Sequence, residues 1–340
     1  MLWEVVANAL DDHLAGHATR IEVTCNEDGS VTVEDDGAGF PIHLVEGLPF
    51  AQRALTSLHA TGTLDGHAPH VHVGRHGVGI CVVNALSSLL VLDVFREGRH
   101  YRQRYVAGEP QADLQDIEPA ERTGTRVTFV PDPTIFANTE VSFDILDKRL
   151  REIALLNAGL RIELRDDRRR RRSHEYPEGL RGFLAEADDV LTCSGVAEGI
   201  RVDVALSYSR TALWPRLQSF ANTEPTTEHG SHVDGLLLGI SDAVAPQLPA
   251  RNSASPRDAM AHNLEAVVNV NGSLRWLSAV VNVNIACPTF ASPTKERLSS
   301  PEVTEAVRTV VSGQLAAQLA SRPELRDVLL RRLDEVAPSA

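Results

Sequence analysis

The sequence predicts an α+β protein with two domains, and three observations support that fold class. The chain has 340 residues, which is enough to build two hydrophobic cores. Residues 19–37 alternate apolar and polar side chains around the turn letters NEDG, as a β-hairpin does. Stretches with helical periodicity lie beside such strands in both halves of the chain. We place the two domains at residues 1–190 and 191–340.

The first domain combines helices with a sheet that leans towards antiparallel pairing. A helix over residues 1–16 precedes the hairpin, and an amphipathic helix from residue 143 is stopped by Gly159. The other predicted elements are helices over residues 49–60 and 78–90, a loop over residues 61–76, strands over residues 89–106 and 124–132, and a hairpin over residues 160–176 with the arginines 168–172 at its tip.

The second domain is again a mixture of strands and helices, and no internal repeat links it to the first. We predict a strand over residues 199–209 and partly alternating strands within residues 264–288. Helices are predicted over residues 232–248 and 300–321, the second being the last element of the chain.

Composition excludes several classes of protein. The net charge of −13 argues against broad, nonspecific nucleic-acid binding. No apolar run reaches the roughly 18 residues of a membrane span, so no membrane partner is expected. The first residues lack the basic lead of a signal peptide, and the four scattered cysteines lack metal-ligand spacing. We therefore expect a cytoplasmic protein without a disulfide framework.

Glu4 and Asn8 are spaced to share one face of the first helix, because residues four apart on a helix are neighbours. A carboxylate can activate a water molecule, and an amide oxygen can ligate a hard cation such as Mg²⁺. Taken alone, this pair is more typical of a surface stripe at the start of a helix.

Two glycine-rich segments could bring backbone close to a ligand. In EDDGAGFP, Gly37 and Gly39 allow close approach to a planar group, and Asp35 could accept a hydrogen bond from an exocyclic amine. In GRHGVG, Gly74 and Gly79 bracket free N–H groups before a predicted helix, a setting that suits phosphate. The alternatives are an ordinary turn and a helix-start turn.

Two further positions gain meaning only from their context. Thr125 follows Gly124 at a predicted strand start, where its hydroxyl could touch a ligand or pack at the sheet edge. Lys295 lies in a predicted loop before the last helix, where a lysine is usually solvated.

In this order, the five motifs resemble the ATP-binding fold of the GHKL superfamily, and most of all the DNA gyrase B and topoisomerase IV B subunits. Longer segments resemble gyrase B in the same order across essentially the whole chain: EVVANALDDHLAGH, HGVGICVVNALS, TGTRVTFVPDPTIF, ILDKRLREIALLNAGLRI and PTKERLSSPEV. The resemblance implies a GHKL (Bergerat) ATPase α/β sandwich over residues 1–190. A ribosomal-protein-like α+β transducer domain over residues 191–340 would follow it.

The resemblance also implies Mg²⁺-dependent ATP hydrolysis, with a role for each motif. Glu4 corresponds to the general base that polarises the attacking water, and Asn8 to the Mg²⁺ ligand. Asp35 corresponds to the acid that binds the adenine amine, and Lys295 to the transducer lysine that reaches the γ-phosphate. The remaining cofactor-binding positions are Gly37, Gly39, Pro41, Gly74, His76, Gly77, Val78, Gly79, Arg102 and Thr125.

Several pocket positions depart from the family pattern. Ala38 replaces the arginine of DGRGIP, so its acidic partner Asp12 is expected to be unpaired, which is costly for a buried acid. Ala7 stands where aspartate is common, Thr63 replaces the lid lysine, and Pro293 replaces the glutamine of QTK. Nucleotide binding is still expected, with hydrolysis slowed, altered or lost.

The resemblance implies partners as well. The sequence begins at the catalytic helix, so the family's N-terminal arm is expected to be missing and an ATP-dependent homodimer to be weakened. No DNA-cleaving segment follows the transducer, so we expect no DNA cleavage by this chain alone and a TOPRIM-containing or topoisomerase A-type partner for work on DNA. The alternatives are a standalone GHKL ATPase or phosphotransferase that acts away from DNA, and a nucleotide-binding pseudoenzyme.

Two local patterns stay open. The arginines 168–172 could grip DNA phosphates or form a solvated turn. His70 and His72, in the lid, have a spacing that could hold a metal ion, although a polar loop is more typical.

Overall fold

A computed structural model describes most of the chain as two compact units, Met1–Pro177 and Glu178–Ala340. The described residues are 1–58, 73, 78–166, 169–185, 187, 189–208, 217–244, 246, 277–324 and 326–327. The predicted lid residues Gly74, His76 and Gly77, together with Thr63, His70 and His72, lie outside them.

Unit 1 is built on a large, mainly antiparallel sheet. Its strands are β1 (Arg20–Cys25), β2 (Val31–Asp35), β5 (Ser87–Arg96), β6 (Arg99–Val106), β7 (Glu109–Pro110), β8 (Gln115–Pro119), β9 (Gly124–Pro131), β10 (Arg161–Asp166) and β11 (Arg171–Glu175). Among the described residues the order is β11-β10-β1-β2-β9-β5-β6-β7, with β8 also on β6. A separate ribbon pairs β3 (Leu44–Val45) with β4 (Leu48–Pro49).

Helices cover one face of this sheet. They are α1 (Leu2–Leu14), α2 (Phe50–Thr56), α3 (Gly79–Ala85) and α4 (Phe143–Leu156). Inward side chains such as Ile21 and Leu92 are fully buried against helical residues such as Leu10 and Leu150. The outer face carries charged side chains, because successive residues of a strand point to opposite faces. The result is the expected α/β sandwich.

The structure confirms the hairpins and corrects one helix. Val23 pairs with Val33 across the first hairpin, as the alternation predicts. The helix predicted over residues 78–90 ends at Ala85. The apolar residues that follow belong to β5, which pairs with β9 and β6. A short apolar run fits a buried helix and a buried strand equally well, so periodicity alone did not separate them.

Unit 2 is a second α+β layer structure. Its elements are a 3₁₀ helix (Gly179–Leu184), β12 (Val190–Ala197), β13 (Ile200–Tyr208), β14 (Leu217–Ala221), β15 (Glu224–Pro225), α5 (Ser231–Val244), β16 (Leu277–Asn284) and α6 (Glu302–Ser321). The described strands follow the order β12-β13-β16-β14-β15, and β14 runs parallel to β16. Helices α5 and α6 pack on each other, and both contact this sheet.

Unit 1 ends at Pro177 in the chain, whereas the sequence analysis places the domain boundary between residues 190 and 191. The 3₁₀ helix explains the difference, because it packs on β12, β13 and β16 of the second sheet. Strands β12 and β14 had no clear sequence signal and were not predicted.

All four cysteines are free thiols, so the structure contains no disulfide framework. Within the part of the chain that the structure describes, no helix combines the length and the apolar character needed to cross a membrane.

Asn84 fixes α3 relative to α2. Its buried Nδ2 donates to the carbonyl oxygens of Leu55 and Gly108, each at 2.9 Å. Asn84→Ala leaves both carbonyls without that donor, and an unsatisfied buried group costs about 1–3 kcal/mol. We expect the free energy of unfolding to fall by about 2 kcal/mol or more in chemical denaturation. Asn138→Ala, at an exposed position, is the control. Equal stability of the two variants would contradict this role.

Candidate functional site

Helix α1 presents the predicted general base, Glu4, and the predicted Mg²⁺ ligand, Asn8, along one edge. Leu2, Val5 and Val6 are buried on the core side, and the amphipathic pattern thereby fixes the rotation of the helix. Glu4 is consequently exposed and Asn8 half-buried, one helical turn apart. The spacing therefore has the geometry that the sequence predicts.

Glu4 lies against the first residue of α3. A Cβ atom at Gly79 would collide with Oε2 of Glu4 and lie 2.9 Å from its Cδ, so any larger residue there would displace the carboxylate from this position. Val78, directly before α3, is half-buried. The structure thus brings together two predicted motifs that are 75 positions apart in the chain.

Asp35 ends β2 and is the most deeply buried acid of the predicted site, with 5% of its surface exposed. Its Oδ1 accepts hydrogen bonds from the backbone N–H of Gly37 at 2.9 Å and of Thr125 at 3.1 Å. These bonds hold the carboxylate in place from two separate segments. The first comes from its own turn, and the second from the start of the neighbouring strand β9.

The pKa of Asp35 is raised to about 7, chiefly because burial penalises the charged form. The negative charge of Asp12 raises it further, while the hydrogen bonds from Gly37 and Thr125 lower it. Asp35 therefore changes charge near neutral pH, which is typical of a functional site and unusual for a structural carboxylate.

The segment after Asp35 crosses the ends of β9 and β5. The Phe40 N–H donates to Oγ1 of Thr125 at 3.2 Å. Gly39, with φ +78°, passes so close to the Phe95 carbonyl oxygen that a Cβ atom would lie 2.7 Å from it. Pro41 follows, half-buried. The structure therefore brings together five predicted site residues at one end of the sheet: Asp35, Gly37, Gly39, Pro41 and Thr125.

The expectation of an unpaired acid at Asp12 is wrong. The Ala38 N–H donates to Oδ2 of Asp12 at 3.1 Å, so backbone replaces the missing side chain. Burial still raises the pKa of Asp12, and this hydrogen bond opposes the rise. The positive charge of Arg96 also lowers it, and Nη1 of Arg96 donates to the Gly39 carbonyl at 2.7 Å.

Arg96 was missed by sequence reasoning. Arg96 is the last residue of β5, and the sequence does not show which strand pairs with β5. Pairing of Phe95 with Gly124 is what brings Arg96 to the glycine turn.

Arg102 lies on the other face of the sheet. Strand pairing puts it in one row with Asp93 and Arg126, whereas Thr125 and Val94 point to the face of Asp35. Nε of Arg102 donates to Oδ1 of the buried Asp93 at 2.7 Å. Nε2 of His100 lies 2.6 Å from the same oxygen. Arg102 is thus held by this pair of strands and not by the Asp35 turn.

Lys295 belongs to unit 2, where it sits in a turn with φ +60° and its N–H donates to the Ser292 carbonyl at 3.1 Å. In the described ranges, the structure contains no cluster of three or more His, Cys, Asp or Glu side chains that could hold a metal ion. Asn8, which the sequence predicts as the Mg²⁺ ligand, lies half-buried on α1.

Gly124 is required by its conformation and by its neighbour. Its φ is +131°, and a Cβ atom would collide with the Asp35 carbonyl oxygen and lie 3.0 Å from its carbon. Gly124→Ala is expected to lower the free energy of unfolding by about 3 kcal/mol or more, since strain adds to a backbone clash.

Gly98→Ala separates these two causes. Gly98 also has a positive φ, +78°, but nothing within 4 Å of a Cβ atom. It should therefore cost only the strain, about 1 kcal/mol. Urea unfolding of both variants measures the difference. A Gly124 variant no weaker than the Gly98 variant would disprove the clash.

Two family models match the chain. The model described as histidine kinase-, DNA gyrase B- and HSP90-like ATPase matches residues 1–135. The model described as DNA gyrase B matches residues 174–337. The first match lies within unit 1, the second covers nearly all of unit 2, and residues 136–173 lie between the two matches.

Full-length relatives extend well beyond this chain. The B subunit of the type 2 topoisomerase of Aquifex aeolicus is 33% identical over 99% of the chain, which spans 43% of that relative. The B subunit of the DNA gyrase of Haloferax lucentense is 36% identical over 99% of the chain, which spans 54% of it. The chain therefore covers about half the length of these relatives.

Solved structures match over nearly their whole length. The 43K ATPase domain of Thermus thermophilus gyrase B, in complex with an aminocoumarin, has a TM-score of 0.80 and 30% identity, with 99% of this chain and 88% of that chain covered. The topoisomerase IV ATP binding domain of Francisella tularensis, in complex with a small-molecule inhibitor, has a TM-score of 0.84 and 27% identity, with 99% and 91% covered. The chain therefore belongs to the DNA gyrase B family of GHKL ATPases.

Proposed function

We propose that the chain binds ATP with Mg²⁺ and hydrolyses it, as the ATPase and transducer part of a type II topoisomerase B subunit. Asp35 carries this proposal. Its carboxylate is buried, fixed by two backbone N–H groups and placed beside a glycine turn. Such a group can accept a hydrogen bond from the adenine amine while the turn lets the flat base approach.

Glu4 would act at the other end of the nucleotide. Its exposed carboxylate touches the start of α3, next to the segment where the phosphates are expected. From there it would orient and deprotonate the attacking water. Phosphoryl transfer needs positioning and charge neutralisation more than covalent chemistry, which suits this sparse set of groups.

Asn8 fits the Mg²⁺ that the family implies. Mg²⁺ is usually held by one or two protein oxygens and by substrate phosphates. Asn8 offers one amide oxygen a helical turn from Glu4. When bound, the ion would neutralise phosphate charge. The predicted roles of Val78, Gly79 and the lid residues outside the described ranges in holding phosphates remain part of this proposal.

Unit 2 would be the transducer, with Lys295 reaching the γ-phosphate. A topoisomerase A-type or TOPRIM-containing partner, DNA and an ATP-dependent homodimer complete the proposal, on the strength of the type 2 topoisomerase and gyrase relatives. A cytoplasmic location is supported by the four free thiols.

One observation favours a second candidate, a GHKL ATPase that acts away from DNA. The net charge of −13 opposes nonspecific attraction to DNA phosphates.

ATP turnover by the purified chain tests both candidates. Turnover is measured with Mg²⁺ or with chelator, and with or without duplex DNA. Mg²⁺-dependent turnover that rises with DNA supports the topoisomerase role, and turnover indifferent to DNA supports the second candidate. Binding of a non-hydrolysable ATP analogue without turnover would reduce the chain to a nucleotide-binding module. The absence of both analogue binding and ATP turnover would overturn the proposal.

A further inference from the structure

Lys295 lies at the tip of a short hairpin in unit 2. The Ser299 N–H donates to the Thr289 carbonyl at 2.8 Å, and the Ala291 N–H donates to the Arg297 carbonyl at 3.0 Å. We call residues 289–299 the Lys295 hairpin. Two cross-strand bonds define the backbone of this hairpin, and Lys295 at its tip is half-buried.

The tip has an uncommon backbone conformation. Lys295 has φ +60°, in the left-handed region that costs a residue with a long side chain about 1 kcal/mol or more. Such a conformation persists only where the surroundings impose it. Contacts of the hairpin strand that follows Lys295 would impose this backbone conformation.

That strand is bonded to a second segment, residues 226–231, which we call the supporting turn. The Glu228 N–H donates to the Glu296 carbonyl at 2.8 Å. The Leu298 N–H donates to the His229 carbonyl at 2.9 Å, and the Ser231 N–H donates to the Leu298 carbonyl at 3.0 Å. The residue directly after Lys295 is thus already fixed to the supporting turn.

A buried polar network lies under the supporting turn. Nδ1 of His229 lies 2.8 Å from Oγ of Ser219, which lies 2.7 Å from Oγ1 of Thr226. Oγ1 of Thr226 in turn lies 2.9 Å from Nε2 of His232. Ser219 is in β14 and His232 in α5, so the network links the turn to the sheet and to a helix. Ser219, Thr226 and His232 are all buried.

Neutral imidazoles account for this network. Burial lowers the pKa of His232 to about 3. Burial and the nearby charge of Arg297 also lower the pKa of His229, while Asp234 opposes this shift. Both rings are therefore uncharged at neutral pH, and the network is a fixed support.

We propose that His229 is a positioning residue for Lys295. Its carbonyl binds the outgoing strand of the hairpin, and its ring ties that carbonyl to Ser219 and the sheet. His229 itself has φ +60°, a conformation that glycine or asparagine adopts more readily than histidine. A histidine here is explained by the bond that its ring makes. The role of His229 rests on the proposed role of Lys295 at the γ-phosphate.

His229→Ala and Ser219→Ala remove the two ends of the ring contact. For each variant of the 340-residue chain we would measure kcat and KM for ATP, and the affinities for ADP and for a non-hydrolysable ATP analogue. We expect kcat to fall about tenfold, because a displacement of about 1 Å in a positioned group has effects of this order or larger. Preference for the analogue over ADP should fall with it, while ADP affinity is unchanged.

Three further variants make the outcome decisive. His174→Ala removes a buried histidine of unit 1 whose ring lies 2.8 Å from Oδ1 of Asp147, and it should change neither kcat nor the preference. Lys295→Ala should abolish the preference, and adding His229→Ala to it should cause no further loss. Thermal melting checks that each variant is folded. If His229→Ala does not fold, Ser219→Ala tests the same ring contact, because it leaves residue 229 unchanged.

The two levels of the proposal fail differently. If Lys295→Ala leaves the preference intact, the role of Lys295 in the proposed function is wrong. If Lys295→Ala abolishes it but the folded His229 and Ser219 variants keep it, the support by His229 is wrong and the proposed function stands. A further loss in the double variant would also overturn the inference, because His229 would then act independently of Lys295.

Discussion

Glu4→Gln is expected to lower kcat for ATP hydrolysis about 100-fold or more, since an amide cannot accept the proton of the attacking water. Glutamine keeps the shape of the side chain and hence its packing against Gly79. Glu4 is exposed at its helix edge and is assigned to the water, so affinity for a non-hydrolysable ATP analogue should stay within about twofold. Steady-state turnover and analogue binding together measure this split.

Glu27→Gln provides the matched control, because Glu27 is an exposed glutamate in the turn of the first hairpin. It should leave kcat unchanged. Gly79→Ala is a second test of the role of Glu4, because the added methyl group displaces the Glu4 carboxylate and leaves it a carboxylate. Turnover retained by both Glu4→Gln and Gly79→Ala would rule Glu4 out as the base.

The parts of the site that the sequence predicted are those that local rules determine. The position of Glu4 and Asn8 on one edge follows from helical spacing and the buried face of α1. The place of Asp35 at the end of β2 follows from the alternation in the first hairpin. Local rules therefore account for the positions of the two side chains that the family resemblance assigns to the two ends of the proposed nucleotide site.

The parts that were missed depend on strand pairing. Arg96 meets the glycine turn only because β5 pairs with β9 in one register. The same register places Arg102 beside Asp93, on the face opposite Thr125. A shift by one residue would reverse both results, and a single sequence does not encode that register in any local pattern. The sequence likewise did not predict the hydrogen bond from the Ala38 N–H to Asp12, because almost any residue type can supply a backbone donor.

Asp35→Asn is expected to stabilise the fold at about pH 8 and to weaken ATP binding. Burial raises the pKa of Asp35 to about 7 from an ordinary value of 3.8. Between these values the folded chain holds a proton that the unfolded chain has lost, so this group makes the fold less stable as pH rises, and the loss is complete above about pH 7. The loss at Asp35 is of the order of 4 kcal/mol. Asparagine avoids it, so the two proteins should be equally stable near pH 4 and differ most above pH 7.

The same substitution replaces the charged acceptor proposed for the adenine amine with a neutral amide, in which one oxygen becomes an NH2 donor. We expect analogue affinity at about pH 8 to fall tenfold or more, the scale of one lost hydrogen bond to a charged group. In the unmodified chain, affinity should fall as pH drops below about 7, because the protonated carboxyl is a poorer acceptor, and the variant should not show this dependence. Binding that is unaffected by the substitution and by pH would remove Asp35 from the site.

Asp36→Asn is the control for Asp35→Asn, because its expected change in stability has the opposite sign. Asp36 is adjacent in sequence but accepts hydrogen bonds from the Thr19 N–H at 2.7 Å and the Arg20 N–H at 2.8 Å. Although burial opposes it, these bonds and that from the Thr19 hydroxyl lower the pKa of Asp36 below 3.8. Its carboxylate therefore stabilises the fold above about pH 4, and that contribution is lost as pH falls further. Asp36→Asn should destabilise the chain at neutral pH and spare ATP binding, the reverse of Asp35→Asn on both counts. Identical behaviour of the two variants would mean that burial does not set the charge of Asp35.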